Sequence, residues 1–187
     1  MKRLILCLSL LFIAMPAFSE TGFQFAAPGV RAPDDPNVDG FRLSILYGKN
    51  ASVSGLDLGF FSFSETSKLS GFSAIFGVGR ITGQSSGCAS ALVLLHTGEA
   101  SGINAAFINR VHSMKTGVNL GFVNITEGAS NVDVSGLGIS GKSKVQLGFV
   151  NVTDEIEGVQ IGFLNVAKNG FLPVFPFFNF PAKSAER

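Results

Sequence analysis

Asp35-Pro36-Asn37-Val38-Asp39-Gly40 places oxygen-bearing side chains at every second position and a glycine at the sixth. That spacing is the first half of a calcium loop, whose alternating oxygens converge on a hard cation. The twelfth position of such a loop is a glutamate, and here it is Leu46. Pro36 instead favours a polar turn leading into a first strand, and the segment is read as that turn. No metal ion and no cofactor is expected.

The remaining chemical candidates are sparse. Gly77-Val78-Gly79 with Gly83 is a fragment of a dinucleotide loop, but that fingerprint needs a helix whose N-terminus meets the phosphates, and a turn and a strand follow instead. His96 and His112 are the only histidines. Each falls just beyond a strand unit and is read as a polar turn residue, too few for a zinc site. Serines and aspartates are plentiful, and Gly83-Gln84-Ser85-Ser86-Gly87 has the Gly-x-Ser-x-Gly spacing, but a nucleophile elbow needs a strand-to-helix turn, and a turn and a strand are read here instead. Asn50-Ala51-Ser52, Asn124-Ile125-Thr126 and Asn151-Val152-Thr153 match glycosylation acceptors. Two of these three asparagines recur inside a repeated strand phrase, which explains them without sugar. No catalytic residue is assigned, and the chain is not expected to be an enzyme.

What positions these residues is a repeat. "GVNLGFVNI" (117–125), "KVQLGFVNV" (144–152) and "GVQIGFLNV" (158–166) are nearly the same nine residues. With Val145-Gln146-Leu147-Gly148-Phe149-Val150-Asn151-Val152 as template, nine copies begin at Phe41, Leu56, Phe72, Cys88, Ile103, Val118, Val132, Val145 and Val159, at spacings of 13 to 16 residues. Positions one, three and five are apolar everywhere except Ser90 and Gly136, and position two is polar everywhere except Ala89. Such alternation marks strands with one buried face. Position four is small in every copy but the one holding Ile75.

The apolar set, including Phe149 and Cys88, is therefore expected to point inward, and Gln146 outward. Connections such as "SETSK", "TGEAS", "TEGAS", "TDEIE" and "AKNG" read as turns. The expected fold is all-β: a parallel two-sheet β-solenoid of about nine strand repeats. In it alternate copies stack, Phe122 over Phe149 and Asn124 over Asn151, so that amides bond along the stack. The alternative is an antiparallel up-and-down meander or a small barrel. The absence of Trp and the single Tyr47 count against a membrane barrel, which normally carries aromatic girdles. The mostly apolar positions six and eight count for it, unless a bend near position five or six returns them to the core.

Outside the repeats, "MKRLILCLSLLFIAMPAFS" has a basic start, an apolar run and small residues at Ala17 and Ser19. It reads as a secretory signal peptide, residues 1–19, cleaved before Glu20 or alternatively after Ala17. Cys7 lies inside the apolar run, so lipid anchoring is disfavoured. Without Lys2 and Arg3 the chain has 12 basic and 13 acidic residues, a net charge of −1 that gives no reason to expect nucleic acid. Cys88 is then the sole cysteine. Residues 20–40 form a lead-in, 41–180 the repeat domain and 181–187 a polar tail. "FLPVFPFFNF" (171–180) is read as a cap on the open end of the stack, with a partner-binding or lipid-touching patch as the alternative.

The stretch "VDGFRLSILYGKNASVSGLDLGF" (38–60), the "GVQIGFLNVAKNGFLPVFPFFNF" ending (158–180) and the repeats between them resemble a bacterial family of exported surface-repeat proteins first named from spirochaetes. The resemblance covers residues 38–180 and implies an envelope or surface location with uncharacterised function; it carries no catalytic residues. "FSAIFGVG" and "CASALVLL" depart most from the phrase. The expectation is a non-enzymatic exported envelope or surface protein, in the periplasm, outer membrane or cell surface, acting as a structural or interaction scaffold. Its partner would be an envelope component or a protein, with peripheral membrane association; the alternative is a small outer-membrane β-barrel protein. If the leader is read correctly, mass spectrometry of the native protein will find its N-terminus at Glu20. Retention of residues 1–19 on most molecules in a cytosolic fraction would refute it.

Overall fold

The computed structural model describes residues 21–182. The expected signal peptide, with its cleavage site and Cys7, and residues 183–187 lie outside them. The chain forms one sheet of five strands: β1 (Thr21–Ala27), β2 (Val30–Ala32), β3 (Asn37–Ile81), β4 (Ser85–Ala167) and β5 (Val174–Asn179), in the order β2-β1-β3-β4-β5. There is no helix among the described residues.

Strand β1 pairs in parallel with β3, setting Phe23 beside Phe41 and Gln24 beside Arg42. Strand β3 pairs in parallel with β4, setting Phe72 beside Cys88 and Ile81 beside His96. Inside the two long strands the chain coils onto itself at the same pitch. A side chain on Gly102 would strike the Gly87 carbonyl oxygen, and one on Gly117 the Gly102 carbonyl oxygen. Their positive φ angles, 112° and 130°, turn the corner where successive coils come closest. The fold is thus an all-β parallel β-solenoid, and the antiparallel meander is not the arrangement found.

Three details of the expected solenoid are corrected. The count of about nine strand repeats gives way to five strands, because β3 with 45 residues and β4 with 83 run without a break through successive copies. "SETSK", "TGEAS", "TEGAS" and "TDEIE", expected as turns, are strand. Their extended backbone rounds the corners without leaving the ladder; only "AKNG" contains a turn, at Lys168–Asn169. Consecutive copies stack, not alternate ones: Phe107 lies on Phe122 and Phe149 on Phe163, each pair with ring centroids 5.1 Å apart and nearly parallel planes.

The larger correction is that the coil is inside out relative to the expectation. Position two points inward: Gln146 is 0% exposed, and Arg42, Asp57, Asn104, Asn119, Asp133 and Gln160 are buried with it. Position five points outward, with Phe149 64% and Phe122 60% exposed. A bend does occur at position six, where Leu46 and Phe61 adopt positive φ, but it leaves positions five and six both outward; the inward face resumes at Ser62 after Phe61 and, with Tyr47 also outward, at Gly48 after Leu46. The reason is room. Gly121 and Gly162, at position four, leave no space for a Cβ beside the amides of Asn124 and Asn151. A lumen that tight holds amides, hydroxyls and small aliphatics but no row of phenyl rings. Its apolar section holds Val38, Val53, Leu69, Ile81, Ala89 and Leu94 in one cluster and Ala100, Val111 and Met114 in another.

Both ends of the parallel stack finish in a short antiparallel strand. Strand β2 runs against β1 through Phe25 and Ala32, and β5 against the end of β4 through Gln160–Asn179 and Ile161–Phe178. Pro176 in β5 removes one amide donor from the outermost edge and so blunts it as a template for further strands.

The inverted register predicts an order of stabilities. Asn151→Leu and Gln146→Leu each strand a buried hydrogen-bond partner and should cost about 1–3 kcal/mol. Phe149→Ala loses a surface ring stack, about 0.5–1.5 kcal/mol. Denaturant melts read the order, and a Phe149 variant less stable than both others would overturn the register.

Candidate functional site

The buried polar column changes chemistry along the stack. Near the N-terminal end it holds an ion pair: Arg42 donates through Nε to Asp57 Oδ1 (2.7 Å) and through Nη2 to Asp57 Oδ2 (2.6 Å). The guanidinium also donates to Asn50 Oδ1 (3.0 Å), Thr66 Oγ1 (3.0 Å) and the Ser64 hydroxyl, and Ser73 donates to Asp57 Oδ2 (3.1 Å). A buried pair of this kind is tolerated only when its remaining lone pairs and protons are met, as they are here. Such a charge-matched, enclosed network presents nothing to a substrate.

Toward the C-terminal half the column becomes amide ladders between adjacent coils. Asn104 donates to Asn119 (3.1 Å), Asn109 to Asn124 (2.8 Å), Gln160 to Gln146 (2.6 Å) and Asn151 to Asn165 (2.8 Å). Where copy seven breaks the pattern with Gly138, Asn124 donates instead to Asp133 Oδ1 (2.7 Å), which also accepts from Ser135 (3.0 Å). Burial raises the Asp133 pKa, opposed by those two donors, and its Oδ2 has no partner.

His96, read from the sequence as a turn residue, is instead 1% exposed inside strand β4, in the column that continues through Ile81 and Val111. Neither ring nitrogen has a hydrogen-bond partner. Burial lowers its pKa to about 4; the Gly83 backbone offsets part of this, and His112 adds to the lowering. His112 itself lies at the surface with Glu127 (3.1 Å), which Arg110 also contacts (2.9 Å). These two donors lower the Glu127 pKa, His112 contributing most.

The other candidates fall into structural roles. Asp35 accepts from Thr21 Oγ1 (3.1 Å) and from the Asn37 amide (2.8 Å), and Asn37 Oδ1 accepts from Ser52 (3.0 Å), which makes the aspartate-rich segment a hydrogen-bonded turn into β3. Gly77, Val78 and Gly79 lie within β3 with no helix after them. Asn50, Asn124 and Asn151 are buried with their amides engaged. Cys88 is half-buried at the outward-tending first position, flanked by exposed Leu92, where the inward face had been expected.

What remains is the outer surface, the feature that the expected register concealed. Positions one, three, five and six of all the copies lie outside the lumen, and none of these residues is charged. Phe60, Phe61 and Phe76 form one aromatic group there, Phe107 and Phe122 a second, Phe149 and Phe163 a third. Charges occupy the other arc of the coil, paired between coils: Lys49 and Arg80 with Glu65, Lys142 with Glu155, Lys168 with Asp154. This apolar flank is the candidate functional site. Comparison with family models, curated proteins and solved structures finds no match to the chain.

The buried imidazole sets a pH dependence. A histidine whose folded pKa is held at about 4, below its ordinary 6.5, supports the fold fully above pH 6.5 and loses that support as pH falls toward 4. The span corresponds to on the order of 3 kcal/mol. Asp133, with a raised pKa, works in the opposite sense, its contribution weakening as pH rises through the folded pKa. Thermal melts of His96→Val, which copies the neighbouring Val111, should therefore lose less stability than the parent between pH 6.5 and 4.5. Equal losses would mean that His96 is not a buried neutral group.

Proposed function

We propose that this chain is a non-enzymatic, exported cell-envelope or surface protein that serves as a structural or interaction scaffold. The observation that carries the reading is the uncharged apolar flank running along the stack. Soluble monomers rarely leave contiguous apolar surface of more than a few hundred Å² open to water, and a larger face marks a contact. The repeat supplies that face by copying one short phrase, as scaffolds built from stacked units do. Support for export comes from the leader at residues 1–19 and from the resemblance to an exported surface-repeat family.

A small outer-membrane β-barrel protein shares a polar interior and an apolar exterior with this chain. Bacterial barrels, however, are built from antiparallel strands, whereas β1, β3 and β4 pair in parallel. The scaffold reading is therefore preferred.

If the flank is what the chain works with, the combined variant Phe122→Gln and Phe149→Gln will keep its β-sheet circular dichroism but move from the envelope fraction to the soluble fraction of the cells that express it. A variant that distributes like the parent would refute the reading.

A further inference from the structure

We infer that the apolar flank rests in the hydrocarbon of a lipid surface, the solenoid lying along the membrane with its charged arc in water. This rests on the scaffold reading and names the partner that the same flank takes.

The size of the flank is the first argument. With rungs about 4.8 Å apart and about 3.3 Å per residue along each, positions one to six cover roughly 800 Å². Area alone would also suit a second copy, since a stable protein pair buries about 800 Å² on each side. Polarity separates the two. Protein interfaces are roughly 56–65% apolar and carry about one hydrogen bond per 100–200 Å². On this flank Ser90 is the only side chain at positions one, three, five and six with a hydroxyl, amide or charge, and the backbone groups beneath are spent in the sheet ladder. A surface with so little to hydrogen-bond matches an occupant that makes no hydrogen bonds.

The distribution of charge is the second argument. The ion pairs Lys49–Glu65, Lys142–Glu155 and Asp154–Lys168 sit on the remaining arc, so the molecule is amphipathic about its long axis, as interfacial helices are. Because those charges are paired and the chain without its leader carries −1, attraction to anionic headgroups is not what would hold it. The hydrocarbon contact would be, and it is insensitive to salt.

The test is flotation of the processed, purified chain with uncharged phosphatidylcholine vesicles, at physiological and at molar salt. The chain should float with the vesicles equally in both. The triple variant Phe107→Gln, Phe122→Gln and Phe149→Gln should bind at least about tenfold more weakly, whereas Arg110→Gln with Glu127→Gln should bind as the parent does. Should the triple variant lose its β-sheet signal, single Phe122→Gln and Phe149→Gln variants carry the same comparison. A parent chain that sediments as a dimer and ignores vesicles would overturn the lipid occupant and leave the scaffold reading intact. A monomer that stays in the aqueous phase would likewise overturn the lipid occupant, and binding released by salt would overturn the hydrocarbon contact.

Discussion

A closed coil of about fifteen residues, the spacing between consecutive copies, has only about 50 Å of extended chain to spend on its whole perimeter. Its interior is a slot, with room for side chains in single file from each wall. Everything else in the structure follows from the width of that slot. Rings cannot be stacked in it while glycine, serine or alanine at position four is pressed against an amide from position seven, as Gly121 is against Asn124. The side chains that fit are those that are slim and that gain something from the regular spacing between rungs.

Amides and hydroxyls gain most. A buried polar group is costly when unpaired and tolerable when bonded, and parallel stacking offers each amide an identical neighbour one coil away. Asn109 on Asn124 and Gln160 on Gln146 are the direct result. Where the repeat departs from its phrase, the column finds other solutions. The N-terminal copies bury Arg42 against Asp57 with a full set of hydroxyl and amide partners, and an apolar cluster that includes Val53, Leu69, Ile81 and Leu94 fills further positions of the lumen. His96 is the point where a polar residue entered this apolar section without a partner, and its depressed pKa is the electrostatic consequence.

The same slot leaves the phenylalanines outside. They stack as ladders on the outer wall with the geometry that amides use inside, each ring set over its counterpart in the adjacent coil. Because the charged residues cluster in the segments that round the opposite side, the outer wall is divided lengthwise into an apolar flank and a charged arc. The proposed function accordingly rests on a surface and not on a pocket. Of the residues that looked capable of chemistry, Asp35 is spent on the turn into β3, His96 on the core and His112 on surface pairing with Glu127.

The sequence by itself determined that the chain is all-β, that it is built by repetition, that the repeat has two chemically distinct faces and that Asn124 and Asn151 are buried among their own kind. These are properties of period and composition, legible in the phrase and in its recurrence along the chain. The tertiary structure alone decided which face is inside, that consecutive copies stack, and that the connecting segments stay in the ladder as strand. Alternation defines two faces without labelling them, and the ordinary rule that apolar residues go inward assumes a core wide enough to receive them. Phe149 and Gln146 exchanged places because the closure of a fifteen-residue coil, a constraint on the chain as a whole, left no such width. Small residues at position four were the one local sign of that narrowness, and they acquire this meaning only once the coil is closed around them.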